Sequence, residues 1–406
     1  MSHFLPFPPR GGAHQRSFNL LRQIGRSHQV SLVALNRLWQ SPDQLECARR
    51  EFSLFCAEVS FWDPPFPWRG TRWWGRLALS PFDRYPYGSR ATWCPKLAAA
   101  WKSILQRLQP DLVHFDASDV GMFIPAASDF RKVLNHHNCE SAMAFRRARN
   151  ELNPVRKAYL WHQARKLRRL EAQVCHQCHV NLAVSELDAQ LIRSVDPQAH
   201  VHLVENGTDT AYFTPTPLEG EAHSLIFAGS LRWYPNISAV SYLVREIWPL
   251  IKHQEPAARL YVAGQFPSEK MVGWLKGHRD IEVVASPEDI RPWVARAAVF
   301  VCPVLDGGGT RIKILDAMAM GKAVVSTSIG CEGLAVKHGE NILIGDSPAE
   351  FADEVVRTLR SPFLRKHIEN NGRSLVEKRY SWEVVGARLE QAYECALDRG
   401  ACAERL

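Results

Sequence analysis

Short runs crowded with valine, isoleucine, leucine and phenylalanine recur along the chain, and between them apolar positions return at three- and four-residue intervals. Brief apolar runs bounded by polar or turn residues mark buried strands, and the wider spacing marks helices that bury one face. In the first half this pattern predicts strands at QVSLVAL (29–35), LVHF (112–115), KVLNHH (132–137), VNLAVS (180–185) and HVHLVEN (200–206). In the second half it predicts SLIFAG (224–229), ARLYVAG (258–264), IEVVA (281–285), AVFVCP (298–303), KAVVST (322–327) and NILIG (341–345). Strands that alternate with helices and read as near-continuous apolar runs belong to parallel sheets covered on both faces. The expected fold class is therefore α/β, with two doubly wound, Rossmann-like parallel-sheet domains. Their ligands would lie at the carboxyl ends of the strands, in a cleft between the domains.

A chain of 406 residues is too long for one ordinary core and fits two domains of roughly 200 residues each. The run NGTDTAYFTPTPLEGE is polar and carries prolines, so it reads as a linker. The expected division is an N-terminal domain over 1–206, a linker over 207–222, a C-terminal domain over 223–380 and a last helical segment over 381–406. That segment, SWEVVGARLEQAYECALDR, carries apolar residues at helical spacing and can pack back on the N-terminal domain. The opening is unusual, because only Ser2 to Leu5 precede FPPRGG. Either the first strand is short or residue 1 is not the natural start.

Composition narrows the class. The chain is 46% hydrophobic and 23% charged, with a mean hydropathy of −0.23, which suits a globular protein and not a disordered one. MSHFLPFPPRGG lacks the basic and apolar regions of a signal peptide, and AAVFVCPVL (297–305) is far shorter than the roughly 20 residues that span a bilayer. A cytoplasmic protein is expected. The net charge of +8 is unevenly spread: residues 1–200 hold 27 Lys+Arg against 16 Asp+Glu, and the remainder 23 against 26. The basic half should face something anionic, a phosphorylated acceptor or a membrane surface. No helix-turn-helix, RNP or zinc-finger pattern speaks for nucleic acid. Residues 61–93 interleave ten aromatics with five arginines and two acids, a composition suited to a membrane interface or to a packed aromatic loop. The cluster Cys175, His176, Cys178 and His179 formally matches a haem-attachment or zinc pattern. It ends a long helical pattern and has no second ligand pair, so it is read as ordinary core and thiol chemistry.

The densest candidate chemistry lies in CPVLDGGGTRIKILDAMAMGKAVVSTSIGCEGL (302–334). Gly307, Gly308 and Gly309 let backbone N–H groups approach an anion, and the helix they open adds the positive end of its dipole. Arg311 and Lys313 supply cationic side chains. Asp316 follows Lys313 by three residues and is a carboxylate on the scale of a ribose diol. A nucleoside diphosphate donor is the natural ligand of such a loop.

NGTDTAYFTP (206–215), GSLRWYPN (229–236), GGGTRIKILDAMAMGKAVVST and GCEGL (330–334) together resemble glycosyltransferase family 4, of GT-B fold. The resemblance runs from PFPPRGGAHQRSFNLL to RYSWEVVGARLEQAY and is nearest to sugar transferases of bacterial exopolysaccharide and exosortase-linked gene clusters. It implies retaining transfer of a sugar from a nucleoside diphosphate to a hydroxyl of a lipid-linked or polysaccharide acceptor. It also implies no metal and no cofactor beyond the donor, and the sequence holds no Asp-x-Asp pair to carry a divalent ion. By the same resemblance Gly11 and Gly12, with Arg16 behind them, lie near the diphosphate and acceptor, and His137, or His136 in the other register, lies near the reacting sugar. Of the family's Glu-x7-Glu element the first position is Gly308 and the second Asp316, which leaves Asp306, the loop amides and Thr310 for the sugar. The loop Gly229–Ser230 lacks the usual arginine and lysine, whose places fall on Ser230 and Pro235. Their charge is then expected from Arg311 and Lys313, with Arg232 behind them. Val284 and Ala285 occupy the base-contact position. Two other readings share the fold: a sugar-nucleotide epimerase, and a donor-binding protein that has lost catalysis.

Overall fold

A computed structural model describes residues 1–9, 11–64, 71–216 and 220–398, the side chains of 71–74 excepted. The chain forms two compact units, Met1–Glu205 together with the chain from Val385, and Asn206–Val384.

The first unit carries β1 (Ser31–Leu35), β2 (Glu58–Trp62), β3 (Leu112–Asp116), β4 (Arg131–Asn135), β5 (Val180–Ala183) and β6 (Val201–Leu203). β1 pairs with β2, and β3 to β6 pair in sequence order, all parallel. Ser2 closes the gap by bridging Ala34 of β1 on one side and Asp116 of β3 on the other. The short first strand is thus a single bridging residue. Its N–H donates to Val33 at 2.8 Å and its carbonyl accepts from Leu35 at 3.2 Å. Because the chain leaves Ser2 toward β1 on one side and returns as β3 on the other, the direction of winding reverses there. Loops that follow strands at such a reversal form a ligand crevice. β2 was not foreseen in the sequence. Its alternating Glu-Val-Ser-Phe-Trp is half-buried throughout and merges into the aromatic segment that follows.

The second unit carries β7 (Glu221–Ala228), β8 (Arg259–Gly264), β9 (Ile281–Ala285), β10 (Ala297–Cys302), β11 (Ala323–Ser326) and β12 (Leu343–Ile344). Their order is β12-β11-β10-β7-β8-β9, all parallel, so winding reverses between β7 and β10. All six residues of β10 are buried, as are Leu225 to Ala228 of β7. Truncating a buried phenylalanine such as Phe300 should cost about 3–5 kcal/mol. This centre holds the two following loops, 229–236 and 303–311, on one rigid edge.

The last helix, Trp382–Leu397, starts in the second unit, where Trp382 is fully buried against Gly207. A Cβ at Gly207 would lie 2.7 Å from that indole, so the glycine of NGT is a packing requirement. The rest of the helix belongs to the first unit: Tyr393 and His114 Nδ1 are hydrogen-bonded at 2.7 Å, and Arg388 pairs with Glu205. No helix among the described residues is long and apolar enough to cross a membrane. Cys175 and Cys178 are buried free thiols, Cys178 pushed up to about 12 by burial, and His179 Nδ1 accepts from the Lys132 N–H at 3.1 Å.

Candidate functional site

In the second unit the loop after β7 and the loop after β10 are joined by one side chain. Lys313, in the first turn of the Ile312–Ala319 helix, sends its ammonium to Asn236 Oδ1 at 2.6 Å and over the Phe227 ring at 4.5 Å from the centroid. Asn236 is buried and donates through Nδ2 to the Ser230 carbonyl at 2.8 Å, so it fixes the loop and the lysine together. Burial lowers the Lys313 ammonium to about 8, with Cys302 opposing and Arg311 adding to the shift. The group remains mainly charged at neutral pH in a poorly hydrated place, where a charge acts strongly on a neighbouring anion.

Room for that ammonium comes from two glycines. A Cβ at Gly229 would lie 2.5 Å from Lys313 Nζ, and a Cβ at Gly264, at the end of β8, would lie 1.7 Å from the Gly229 carbonyl oxygen. Gly264 was missed in the sequence, because nothing in YVAG alone shows that another backbone crosses it.

The loop after β10 turns through positive φ at Gly307 (119°) and Gly309 (65°), which favours glycine at both. Asp306 Oδ1 accepts from the Gly307 N–H at 2.7 Å. Arg311 is not a mobile cation: it is buried and folds back under its own loop, donating to the Gly308 carbonyl at 2.8 Å and to the Gly309 carbonyl. It holds the shape of the loop that presents the amides. Asn206 Nδ2 donates to Thr310 Oγ1 at 2.7 Å, and Thr208 Oγ1 donates to Asp316 Oδ1 at 2.6 Å, so the NGT run braces the same loop and helix. Gly308 is half-buried in this loop, and Ser230 is half-buried with its carbonyl taken by Asn236. Pro235 is buried and Arg232 is exposed. Val284 is buried while Ala285 is exposed, followed by Ser286 in a left-handed turn (φ 50°).

The first unit has its own polar centre at the point where its winding reverses. Gly11, at φ 120°, caps the Gly12–Ile24 helix, which brings His14, Arg16 and Ser17 to the ends of β3 and β4. Arg16 is fully buried and serves as a clamp: Nε and Nη2 donate to Asn135 Oδ1 at 3.1 and 2.7 Å, and Nη1 to the Glu205 carbonyl at 2.8 Å. Burial lowers it to about 10, with Asp116 and Asp188 opposing. Asp116 accepts from Ser2 (3.0 Å) and Ser17 (2.7 Å) at Oδ2, and from Asn135 (2.7 Å) at Oδ1. His137 Nε2 lies 3.1 Å from the same Oδ1. Burial pushes the Asp116 carboxyl up, but His137, His3 and His114 outweigh it and hold the group well below the usual range. His136 instead turns into the sheet and meets Asn181 Oδ1 at 3.2 Å, so His137 is the histidine of this centre. The Asp116–His137 pair was not foreseen. FDASD carries no signal that its first aspartate ends beside the turn of KVLNHH.

His3, Asp116 and His137 place ligand-type atoms within 4.8 Å of one another, a grouping suited in principle to a metal ion. Both Asp116 oxygens are already engaged by protein donors, and His3 Nδ1 donates to the Asp116 carbonyl at 2.7 Å, so the group fits a hydrogen-bonded network better than a metal site.

Two family models match the chain: "Glycosyltransferase Family 4" over residues 10–212 and "Glycosyl transferases group 1" over residues 222–361. Among curated relatives, an uncharacterized 44.6 kDa protein in the cps region of Klebsiella pneumoniae is 27% identical over 40% of this chain and 44% of its own length. An MMP alpha-(1->4)-mannosyltransferase of Mycolicibacterium hassiacum is 28% identical over 57% of this chain and 58% of its own. The chain thus spans about half the length of these relatives. Among solved structures, sucrose-phosphate synthase from Thermosynechococcus elongatus superposes with a TM-score of 0.72 at 15% identity, covering 97% of both chains. Anabaena HepE in complex with UDP superposes with a TM-score of 0.68 at 12% identity, covering 95% of this chain and 96% of that one. Both matches show the GT-B fold, two parallel-sheet α/β domains.

Proposed function

The chain belongs to glycosyltransferase family 4, and from that premise we propose that it transfers a sugar from a nucleoside diphosphate to an acceptor hydroxyl, with retention and without a metal. The observation that carries this reading is the half-buried Lys313, whose ammonium Asn236 holds beside the glycine loop at the reversal between β7 and β10. A diphosphate seated there meets the ammonium, the N–H groups of Gly308 and Gly309 and the start of the Ile312–Ala319 helix. As the sugar departs, charge grows on the diphosphate, and these groups stabilise it where water competes least. The leaving phosphate accepts the proton of the attacking hydroxyl on the same face, so no separate side-chain base is required.

The further assignments belong to the same proposal and rest on the family resemblance. Asp316, oriented by Thr208, takes the ribose; Asp306 and the loop amides take the sugar; the end of β9 at Val284 and Ala285 takes the base. In the first unit, His137, oriented by Asp116, is the residue that the family resemblance assigns to the reacting sugar. HepE binds UDP, which supports a uridine donor here. The cps-region relative supports a role in exopolysaccharide assembly; within this reading the acceptor is lipid-linked and met at the inner face of a membrane. Gly308 at the family's first glutamate position keeps one other reading in view, a donor-binding protein with weakened catalysis.

The test is incubation of the protein with UDP- and GDP-sugars and polyprenyl-diphosphate sugars in EDTA, with the anomeric configuration of the product read by NMR. A product with the donor's configuration, formed in EDTA, is expected. Inversion or a strict need for a divalent ion would overturn the mechanism, and donor binding with neither transfer nor hydrolysis would favour the binding-protein reading.

A further inference from the structure

The helices Glu140–Asn150 and Pro154–Gln177 form an antiparallel hairpin in the first unit, joined by residues 151–153 and braced by an edge-to-face contact of Phe145 with Trp161 (centroids 4.9 Å). Its base is built into the unit through Ser141, Ala164, Lys166, Leu170, Glu171 and Val174, all buried. Its tip is not: from Pro154 to Gln163 no residue of the long helix is buried. Leu152 at the turn is 95% exposed and Val155 78%. Farther along the same helix, at Tyr159 to Lys166, lies the segment from Leu79 to Phe82, exposed by 68% and 89% at those two residues.

That segment is fixed to the hairpin. Lys166 Nζ donates to the carbonyls of Ser80 (2.7 Å), Pro81 (2.9 Å) and Asp83 (2.5 Å), and Tyr159 Oη and Ser80 Oγ are 2.8 Å apart. Val155 precedes Tyr159 by about one helical turn, roughly 6 Å of rise, so the anchored segment and the exposed tip follow one another along the same helix. Arg76, Arg84, Arg147, Arg149, Arg156 and Lys157 belong to the same two segments and are exposed, whereas the acids of those segments are Glu151 and Asp83. Asp83 lies 3.3 Å from Arg90.

Separate protruding apolar side chains ringed by arginine and lysine suit a soft anionic surface, into which leucine and phenylalanine sink while the basic heads stay at the phosphates. We propose that the hairpin tip together with Leu79–Phe82 is the docking surface of this protein on an anionic lipid bilayer. The purpose of such docking rests on the lipid-linked acceptor reading, but the binding itself does not. The membrane-facing aromatics expected in 61–93 include Trp73 and Trp74, whose side chains lie outside the described residues, so the proposal stands on the hairpin and on Leu79 and Phe82 alone.

The test is flotation of the full chain with vesicles of phosphatidylcholine, with and without phosphatidylglycerol, for the wild type, Leu152→Asp/Val155→Asp and Phe82→Ser. All three positions are exposed, so folding should be unchanged, which a melting curve checks. The wild type should float with the anionic vesicles and lose most of that binding in high salt. The double variant should bind at least tenfold less, and Phe82→Ser should fall between. Absence of wild-type flotation, or equal flotation of the double variant, would overturn the proposal, as would a wild-type dimer in gel filtration that the double variant dissolves, because the patch would then join copies of the chain. Nucleotide-sugar binding measured on the same samples separates this outcome from failure of the transferase reading, since neither variant touches the Lys313 region.

Discussion

Lys313 is held against Asn236 at 2.6 Å, and this one contact links the two loops that follow the central strands of the second unit. Its stability cost and its function should oppose each other. A lysine whose folded value is depressed to about 8 adds stability only at alkaline pH and loses it as pH falls through 8. At pH 7 the buried charge is therefore a burden on folding. Lys313→Met should raise the melting temperature at pH 7, gain less at pH 10, and lower turnover by about 10²–10³-fold. A lower melting temperature at pH 7 would show that the ammonium is stabilised by its surroundings, not strained by them.

Gly264 should be as sensitive as any residue near the candidate donor. With the Gly229 carbonyl 1.7 Å from where a Cβ would stand, Gly264→Ala must push the 229–236 loop away and take Asn236 with it. We expect loss of nucleotide binding in calorimetry with the second unit still folded. Unchanged affinity would mean that the loop does not contact the donor.

Asp316 already holds Thr208 at 2.6 Å, so a longer acid at 316 must displace that hydroxyl. Asp316→Asn is the cleaner probe. It should weaken a ribonucleotide donor by about tenfold, the scale of one hydrogen bond to a charged group. A 2′-deoxy donor should bind the wild type and the variant alike. Equal losses for both donors would remove Asp316 from the ribose and leave it as a brace for the NGT run.

Glu140, at the start of the hairpin, is pushed up to about 8 by burial, with Asp119 and Glu171 adding and Arg37 and Asn138 opposing. A carboxyl raised this way favours folding fully below its unfolded value and loses that contribution as pH rises through 8. Glu140→Gln should therefore match the wild type near pH 5 and melt several degrees higher at pH 8. Melting curves that run parallel across this range would contradict the assignment.

Much of the architecture was legible because apolar strand runs were long and regular. All of the strands read from them recur within a few residues, down to IEVVA at Ile281–Ala285. β2 escaped because its alternation is short and half-buried. The glycine loop and Lys313 could be placed by spacing. What spacing could not give was direction: Arg311 stands two residues from Lys313, yet one side chain turns under the loop and the other toward Asn236. Contacts made across long sequence distance were equally hidden. Gly264 against Gly229, Thr208 on Asp316 and Asp116 beside His137 each depend on the sheet bringing distant residues together.

Sugar transfer as proposed requires a nucleoside-diphosphate sugar to bind at Lys313. Titration calorimetry of UDP-glucose and GDP-mannose into the wild type and into Lys313→Ala tests it most directly. One donor should bind the wild type saturably, without added metal, and bind the variant at least tenfold more weakly. Failure of both donors to bind, or equal affinity in the two proteins, would contradict it.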